Sequence, residues 1–267
     1  MRIAIIGGTG LVGSRLAEKL SVDGHSVVVA SRQTGVNSFT GEGLPEALTG
    51  VHALIDVTNS SYLDEAGANE FFSVSTLNLL DYGAAAGVEH HIALSVVGTD
   101  RLARTEGGYF AAKAAQEELI RTSGRPHTIV HATQFFEFIP LIADAGTDHD
   151  VVRLKRALIQ PIAADDVAAA VAGVATSAPL NATAEFAGPE QFHLDGLVHR
   201  QLRARGDMRD VVIDPLARYF GVDLDERELL PAPDATIAPT TYGEWLDRGG
   251  QGVDPLTGRW MKSAARR

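Results

Sequence analysis

The chain has 267 residues, 45% of them hydrophobic, a formal net charge of −11 and no cysteine. The length and hydrophobic share are those of one large globular domain, and the lack of cysteine excludes disulfides, thiolate metal sites and a cysteine nucleophile. The negative charge, without any cluster of arginines, repels phosphates and argues against a nucleic-acid partner.

The sequence also carries information on cellular location and on metal binding. The start MRIAIIGG lacks the basic and apolar regions of a signal peptide, and the sequence contains no apolar run long enough to cross a bilayer. We therefore expect a cytoplasmic protein without a membrane partner. The 9 histidines show no recognised ligand spacing, so we predict no metal site.

Strands alternate with helices through the first half of the chain. Apolar runs predict strands at 2–6, 26–30, 53–57, 91–97 and 127–131. Helical spacing of apolar residues predicts helices at 11–21, 69–86 and 109–123, and a short one near 45–48. This alternation predicts parallel strands joined by right-handed crossovers, and hence an α/β fold with a Rossmann-type doubly wound parallel sheet.

The later part of the chain is less regular. It predicts helices at 165–175, 193–205 and 242–246, and a short strand at 185–187. We therefore predict a single Rossmann-type domain over 1–267, with a core of 1–132 and about 151–188. The remaining segments, about 133–150 and 189–267, are predicted to form a small C-terminal substrate lobe.

A glycine-rich turn, GGTGLVG at 7–13, follows the first strand and opens the first helix. Its glycines fit both GxxGxxG and GxGxxG, so the register of the motif is open. Glycine permits a tight turn and close approach of a pyrophosphate, and the helix amino terminus offers free N–H groups to the phosphates. The pattern predicts dinucleotide binding by Gly7, Thr9, Gly10, Leu11, Val12 and Gly13.

The second strand ends at Ala30-Ser31-Arg32, where NAD-binding sites usually place an acidic residue. Ser31 and Arg32 instead suit the 2′-phosphate of NADP, because a guanidinium fork binds phosphate oxygens well. We therefore expect NADP(H) to be preferred over NAD(H). The alternative is an ordinary exposed arginine in a loop.

Tyr109 and Lys113 are four residues apart on a predicted helix and so share one face. A nearby lysine charge favours the phenolate, and such a pair can give a proton to the oxygen of a carbonyl that receives hydride. Ser95, at the end of the preceding strand, is a candidate second donor to that carbonyl, and its direct catalytic role is left open. Without a Gly-x-Ser-x-Gly elbow around Ser95, a hydrolase is not predicted.

Taken together, GGTGLVG, Ser95, YFAAK and HTIVHATQFFEF resemble the short-chain dehydrogenase/reductase superfamily, in its atypical NmrA-like branch. The resemblance extends to about residue 190 through PIAADDVAAAV and EFAGPEQF. It implies that Ser95 orients a carbonyl and Tyr109 transfers the proton. It also implies that Lys113 lowers the tyrosine pKa and holds the nicotinamide ribose.

The chain departs from the superfamily pattern at two positions. Phe72 stands where the catalytic asparagine of many members would align, which weakens a proton-relay argument. His131 stands where relatives commonly carry arginine, at the substrate end.

Fold analogy extends the predicted site to two further segments. It places Val57, Thr58 and Asn59, which follow the third strand, near the cofactor. Phe135 and Phe136 follow the fifth strand, where the lobe should meet the cofactor, and are predicted to touch substrate. The alternative for these phenylalanines is a place in the hydrophobic core.

The sequence thus predicts an NADP(H)-dependent oxidoreductase that transfers hydride between nicotinamide and a small carbonyl or alcohol substrate. One alternative is an NADPH-dependent quinone reductase that works by direct hydride transfer. The other is a non-catalytic NmrA-like NADP(H) redox sensor that acts through protein contacts. Such sensors typically lack the tyrosine, so Tyr109 favours an enzyme. Whether the chain forms a homo-oligomer is left open.

Overall fold

The structure is a computed structural model that describes residues 1–60, 65–103 and 108–250. Its strands are β1 (Arg2–Ile6), β2 (Ser26–Ala30), β3 (Ala53–Asp56), β4 (His90–Val96), β5 (His127–Ala132), β6 (Thr147–Asp148), β7 (Val151–Leu154), β8 (Leu158–Ile159), β9 (Ala182–Ala187), β10 (Phe192–His193), β11 (Asp210–Ile213) and β12 (Thr236–Ile237).

The helices follow the predicted positions in the first half and add short ones elsewhere. They are α1 (Leu11–Val22), α2 (Leu44–Leu48), α3 (Glu65–Ala85), α4 (Thr99–Leu102), α5 (Gly108–Thr122), α6 (Ile139–Ala145), α7 (Ala164–Ala175), α8 (Leu194–Ala204) and α9 (Tyr242–Asp247). Short 3₁₀ helices cover Arg32–Thr34 and Phe136–Phe138.

Seven strands of the described chain form one parallel sheet in the order β2-β1-β3-β4-β5-β9-β12. Strand β1 pairs in parallel with β2 on one side and with β3 on the other, and β3 pairs in parallel with β4. Helices precede or follow these strands, as in βαβ units. The predicted Rossmann-type α/β fold is therefore confirmed.

The central strands are buried on both faces of the sheet. On one face Ala4 and Ile6 pack with Leu54 and with residues of α2 and α3. Ile3 and Ile5 alternate with them along β1 and are also fully buried. Because successive side chains of a strand point to opposite faces, this two-sided burial explains why the strands are continuous apolar runs.

The strand order reverses at β1, whose neighbours are β2 and β3. The carboxyl ends of β1 and β3 lie side by side, and the Val57 N–H donates to the Ile6 carbonyl oxygen at 3.0 Å. In open parallel sheets the ligand crevice forms at such a reversal, outside the carboxyl ends of the strands. A ligand-binding site is therefore expected at the segments that follow β1 and β3.

The chain divides into two compact units. The first unit consists of Met1–His131 and Val167–Glu185. The second unit consists of Ala132–Asp166 and Phe186–Arg267. The second unit contains a three-stranded sheet in the order β11-β7-β6 and the antiparallel pair β8 and β10. In this division 151–166, which the sequence analysis placed with the core, falls in the second unit. The assignment of a domain core and a substrate lobe stays a prediction.

Three histidines are buried at the amino ends of β4 and β5. His90 and His91 begin β4, and His127 begins β5. Burial lowers the pKa of His91 to about 4, with a further contribution from the charges of His127 and His90. Burial also lowers the pKa of His90. Burial therefore favours the neutral form of His90 and His91. Nε2 of His91 is buried without a hydrogen-bond partner among the described residues.

This burial predicts a loss of stability in acid. The unfolded chain binds a proton at His91 near pH 6.5, whereas the folded chain does so only near pH 4. Stability is therefore fully present above pH 6.5 and is lost as the pH falls toward 4. We expect His91→Leu to reduce the loss of unfolding free energy between pH 7 and pH 5 by about 2 kcal/mol, measured by urea denaturation.

The matched control is His199→Leu, since His199 is exposed on α8. It should leave the acid sensitivity of the wild type unchanged. Equal acid sensitivity of His91→Leu and the wild type would contradict the assignment of His91 as a buried neutral group.

Candidate active site

The glycine turn after β1 is held against the ends of the neighbouring strands. The N–H groups of Gly7 and Gly8 donate to the carbonyl oxygen of Ala30 at 2.9 and 3.1 Å. Gly7 has a φ of 82°, and a Cβ on Gly13 would lie 2.3 Å from the Gly7 oxygen. Gly8 is confined as well, because a Cβ on it would lie 2.8 Å from the Ile5 carbonyl oxygen, so close contacts account for the glycines of both motif registers.

The amino terminus of α1 fits the pyrophosphate of a dinucleotide. The N-cap residue Gly10 has an extended backbone and no side chain that could cap the helix. Both Thr9 and Gly10 are exposed. The first N–H groups of a helix have no partner within it, so those of Leu11, Val12 and Gly13 point out of the helix end. Together with the helix dipole they form a site suited to an anion.

The end of β2 carries a serine and an arginine beside this turn. The Ser31 Oγ is buried without a hydrogen-bond partner among the described residues. Arg32 is exposed at the start of a one-turn 3₁₀ helix. The Oγ1 of Thr34, at the end of that helix, accepts from the Ser31 N–H at 2.9 Å. A buried unpaired hydroxyl next to an exposed guanidinium fits a phosphate at this position.

The turn after β3 is built around the buried carboxylate of Asp56. Its Oδ1 accepts from the N–H and the hydroxyl of Thr58 at 2.9 and 2.7 Å, and its Oδ2 accepts from Nε2 of Gln116 at 3.0 Å. Burial raises the pKa of Asp56, although these hydrogen bonds and the charge of Lys113 oppose the rise. Asp56 thus joins the turn that carries Thr58 and Asn59 to helix α5.

Tyr109 meets this turn from the first part of α5. Its hydroxyl donates to Oδ1 of Asn59 at 2.8 Å, and the tyrosine is only 5% exposed. The ring of Phe72 packs edge-on against the Tyr109 ring, with centroids 5.8 Å apart. The structure therefore brings together Tyr109 and a residue that the sequence analysis assigned to cofactor binding.

Lys113 lies one turn further along α5 and is 1% exposed. Its ammonium donates to the Leu94 carbonyl oxygen at 2.8 Å and to Oε1 of Gln116, and it lies 4.6 Å from the centroid of the Phe72 ring. Burial lowers the pKa of Lys113 to about 8, while the carboxylates of Asp56 and Glu117 act to raise it. Lys113 thus belongs to the same buried network as Asp56.

Ser95 lies in a neighbouring network of buried polar groups. The serine is 4% exposed, and its hydroxyl donates to Oε1 of Glu117 at 2.5 Å. The same carboxylate accepts from Nε2 of His131 at 2.9 Å and from Nη2 of Arg121 at 2.5 Å. The hydroxyl of Ser95 is therefore directed at Glu117, and its role as a donor to a carbonyl stays a prediction.

His131 connects two carboxylates. Its Nε2 pairs with Glu117, and its Nδ1 lies 3.6 Å from Oε1 of Glu185. Burial by itself would lower the pKa of His131, but the hydrogen bonds and charges of both carboxylates raise it overall. Burial would likewise raise the pKa of Glu117, but His131, Ser95 and Arg121 lower it overall. The histidine thus forms an ion pair where relatives commonly carry arginine.

The predicted substrate residues lie in the second unit. Phe136 is fully buried, and its ring centroid lies 5.3 Å from that of Tyr242 and 5.4 Å from that of Trp245. Phe135 stacks on Phe138 at 5.2 Å. The surroundings of Phe136 favour the core alternative for that residue, and contact of either phenylalanine with substrate stays a prediction.

Three residues of the candidate site were not found from the sequence: Asp56, Gln116 and Glu117. Two of them carried a usable sequence signal. Asp56 ends an otherwise apolar strand, and Glu117 continues the spacing of four that begins with Tyr109 and Lys113. Gln116 had no such signal, because its contact with Asp56 joins residues 60 positions apart.

The described part of the chain has neither a metal-binding cluster nor a membrane-spanning helix. It contains no group of three or more His, Asp or Glu side chains placed to bind a metal ion. Its helices include none that combines the length and hydropathy needed to cross a bilayer.

The His131–Glu117 pair predicts a loss of stability in alkali. Because the folded-state pKa of His131 is raised, its contribution is fully present below pH 6.5 and is lost as the pH rises through the folded value. The contribution of Glu117, whose pKa is lowered, is present above pH 4.5. Arginine stays charged, so we expect His131→Arg to abolish the decline in unfolding free energy between pH 6.5 and pH 9, measured by urea denaturation.

A decline of the same size in His131→Arg and in the wild type would show that another group causes it. His199→Arg, on the exposed face of α8, is the matched control and should keep the decline of the wild type.

A family model and a curated protein each match part of the chain. The model of the NAD dependent epimerase/dehydratase family matches residues 3–74. The chain is 26% identical over 151 residues to the photosystem II assembly factor Ycf39 of Cyanophora paradoxa. That match covers 51% of this chain and 46% of the relative, so the chain spans about half the length of the curated protein it matches.

Solved structures resemble the chain over most of its length. MoeE5 in complex with UDP-glucuronic acid and NAD has a TM-score of 0.66 and 16% identity, and the match covers 93% of each chain. The NADPH-dependent quinone oxidoreductase QOR2 of Escherichia coli, complexed with NADPH, has a TM-score of 0.58 and 21% identity, covering 79% of this chain and 77% of that one. At these identities the likenesses show a shared fold, the Rossmann-type α/β fold of proteins whose structures hold NAD or NADPH.

Proposed function

We propose that this protein is an NADP(H)-dependent oxidoreductase that transfers hydride between nicotinamide and a small carbonyl or alcohol substrate. The observation that carries the proposal is the position of the Tyr109 hydroxyl, 2.8 Å from Asn59 in the turn after β3. That turn contacts the glycine turn through Gly7 and Val57, since a Cβ on Gly7 would lie 3.0 Å from the Val57 carbonyl. A proton donor and a dinucleotide-binding turn thus meet at one edge of the sheet.

The residues around the glycine turn would hold the cofactor, which supplies the hydride when bound. The N–H groups at the start of α1 suit the pyrophosphate, and Val57 and Thr58 border the turn. Ser31 and Arg32 suit a 2′-phosphate, and β2 does not end in the acidic residue that usually binds the ribose of NAD. The similar structures include proteins complexed with NAD and with NADPH, so the preference for NADP(H) rests on these two residues of the chain itself.

The chain's own contribution to the reaction is a positioned proton donor. Tyr109 would give its proton to the substrate oxygen during carbonyl reduction and take it back during alcohol oxidation. Lys113 keeps a positive charge one helical turn away, below its pKa of about 8, which favours the phenolate that remains. Ser95 would serve as second donor only after giving up its hydrogen bond to Glu117.

We expect Arg32→Ala to weaken NADP binding by about tenfold to a hundredfold, because it removes hydrogen bonds between a guanidinium and a phosphate. NAD binding should change little, and both dissociation constants can be measured by fluorescence titration. Arg125→Ala is the matched control, since Arg125 is exposed at the opposite, amino-terminal edge of β5. If Arg32→Ala bound NADP as tightly as the wild type, the assignment of the 2′-phosphate would be wrong.

We expect Tyr109→Phe to bind NADP normally and to lose about 99% or more of its turnover, because general acid catalysis contributes roughly a hundredfold or more. The ring that packs on Phe72 is retained, so the fold should be unaffected. NADPH oxidation with a panel of aldehydes, ketones and quinones provides the measurement. Tyr82→Phe, on α3, is the matched control and should be fully active.

A quinone reductase that works by direct hydride transfer is the second candidate. The observation that favours it is the commitment of the Ser95 hydroxyl to Glu117, together with Phe72 in place of the family's asparagine. In that case quinones alone would be reduced and Tyr109→Phe would remain active. A non-catalytic sensor would bind NADP(H) tightly and oxidise NADPH with no member of the panel.

A further inference from the structure

We propose that Asn59 is a catalytic residue, whose side-chain amide donates a hydrogen bond to the phenolic oxygen of Tyr109 as the proton leaves. This inference rests on the proposed function and deepens it. It assigns to Asn59 a role in proton transfer in addition to, or in place of, the cofactor contact predicted by fold analogy.

The contact between Asn59 and Tyr109 joins two anchored elements. Thr58 donates twice to Oδ1 of Asp56 and so fixes the turn on one side of Asn59. Gln116 donates to the other oxygen of Asp56 and so fixes α5, which carries Tyr109, to the same carboxylate. The 2.8 Å distance between the Tyr109 hydroxyl and the Asn59 Oδ1 is therefore set by a buried network and not by the exposed loop alone.

The two residues expected to assist Tyr109 make hydrogen bonds to other groups. The Ser95 hydroxyl donates to Glu117 at 2.5 Å, and transferring that donor to a substrate would leave a buried carboxylate with one hydrogen bond fewer. The Lys113 ammonium donates to Leu94 and to Gln116. Lys113 can therefore act on Tyr109 through its charge, whereas Asn59 contacts the reacting oxygen.

The two ends of the Asn59 amide allow two hydrogen-bonding arrangements of similar shape. In the arrangement seen here, the Tyr109 hydroxyl donates to Oδ1, and the tyrosine keeps its proton. Rotation of the amide by half a turn exchanges Oδ1 for Nδ2, which donates. Nδ2–H then donates to the phenolic oxygen, and the hydroxyl donates to a substrate oxygen.

The proton balance of carbonyl reduction follows from this second arrangement. A reduced nicotinamide, which the proposed function requires, would lose hydride from its own C–H bond and become oxidised. The carbonyl carbon would gain the new C–H bond, and the electron pair of the C=O π bond would pass to the oxygen. That oxygen forms an O–H bond with the Tyr109 proton as the tyrosine O–H bond breaks, and Nδ2–H of Asn59 stabilises the phenolate. The phenolate regains a proton from water, which reaches this point because Asn59 is exposed. Alcohol oxidation runs through the same steps in reverse.

The variants Asn59→Asp and Asn59→Leu test whether Asn59 donates a hydrogen bond to Tyr109 or only positions it. Aspartate keeps an oxygen that accepts from Tyr109 but has no N–H to donate, and leucine has a similar shape with neither. We expect both variants to lower kcat about tenfold to a hundredfold at saturating NADPH, with KM for the carbonyl substrate changed less. Asn69→Asp, an exposed asparagine on α3, is the matched control and should keep wild-type turnover.

A second measurement uses the protein without cofactor and so does not depend on activity. NMR of ¹³C-labelled tyrosine follows the ionisation of Tyr109, whose resonance is assigned by its loss in Tyr109→Phe. We expect the ionisation midpoint to move to higher pH in both Asn59 variants and to stay in place in Asn69→Asp. Thermal unfolding should be little changed, because Asn59 is exposed.

The outcomes distinguish this inference from the proposed function. Wild-type turnover in Asn59→Asp, or an unchanged ionisation midpoint of Tyr109 in Asn59→Leu, overturns the role of Asn59 even if Tyr109→Phe is inactive. Full activity of Tyr109→Phe overturns the proposed function, and in that case a shifted midpoint still supports the hydrogen bond from Asn59 to the phenolate.

Discussion

The hydrogen bonds of the buried Asp56 carboxylate are the contact on which the candidate site depends. A charge removed from water is costly unless it is hydrogen-bonded or paired, and Asp56 accepts from Thr58 and from Gln116 while Lys113 lies nearby. These bonds hold the turn after β3 and helix α5 in one arrangement. Without them, the 2.8 Å contact between Asn59 and Tyr109 would depend on an exposed side chain alone.

Helix α5 presents three polar side chains at a spacing of four, and each one meets a different part of the sheet. Tyr109 meets the turn after β3, Lys113 meets the carbonyl of Leu94 in β4, and Glu117 meets side chains of β4 and β5. Residues on one face of the helix thus reach three successive parts of the sheet. This geometry directs Ser95 to Glu117 and brings Asn59 to the hydroxyl of Tyr109.

The two departures from the superfamily pattern have physical consequences in this structure. Phe72 replaces an amide with a ring that packs on Tyr109 and lies 4.6 Å from the Lys113 ammonium. The ring excludes water and attracts the cation, but it offers no proton to relay. His131 replaces a permanent charge with a titratable one between Glu117 and Glu185, so the attachment of α5 to β5 depends on pH. The buried His91 has the opposite dependence, because burial disfavours its charged form.

The sequence by itself determined the alternating strands and helices of the sheet, with β1 and β2 at their predicted bounds, and it predicted a site at the glycine turn, Tyr109 and Lys113. It did so because strands buried on both faces are continuous apolar runs and because helix spacing is local. The tertiary structure alone decided the direction of the Ser95 hydroxyl and the contact of Asn59 with Tyr109. It also revealed α6 and the short strands β6, β7, β8, β10, β11 and β12, which are too brief to show a period. Hydrogen bonds between residues 50 or 60 positions apart leave no local pattern, since they form only when the folded sheet brings its strand ends together.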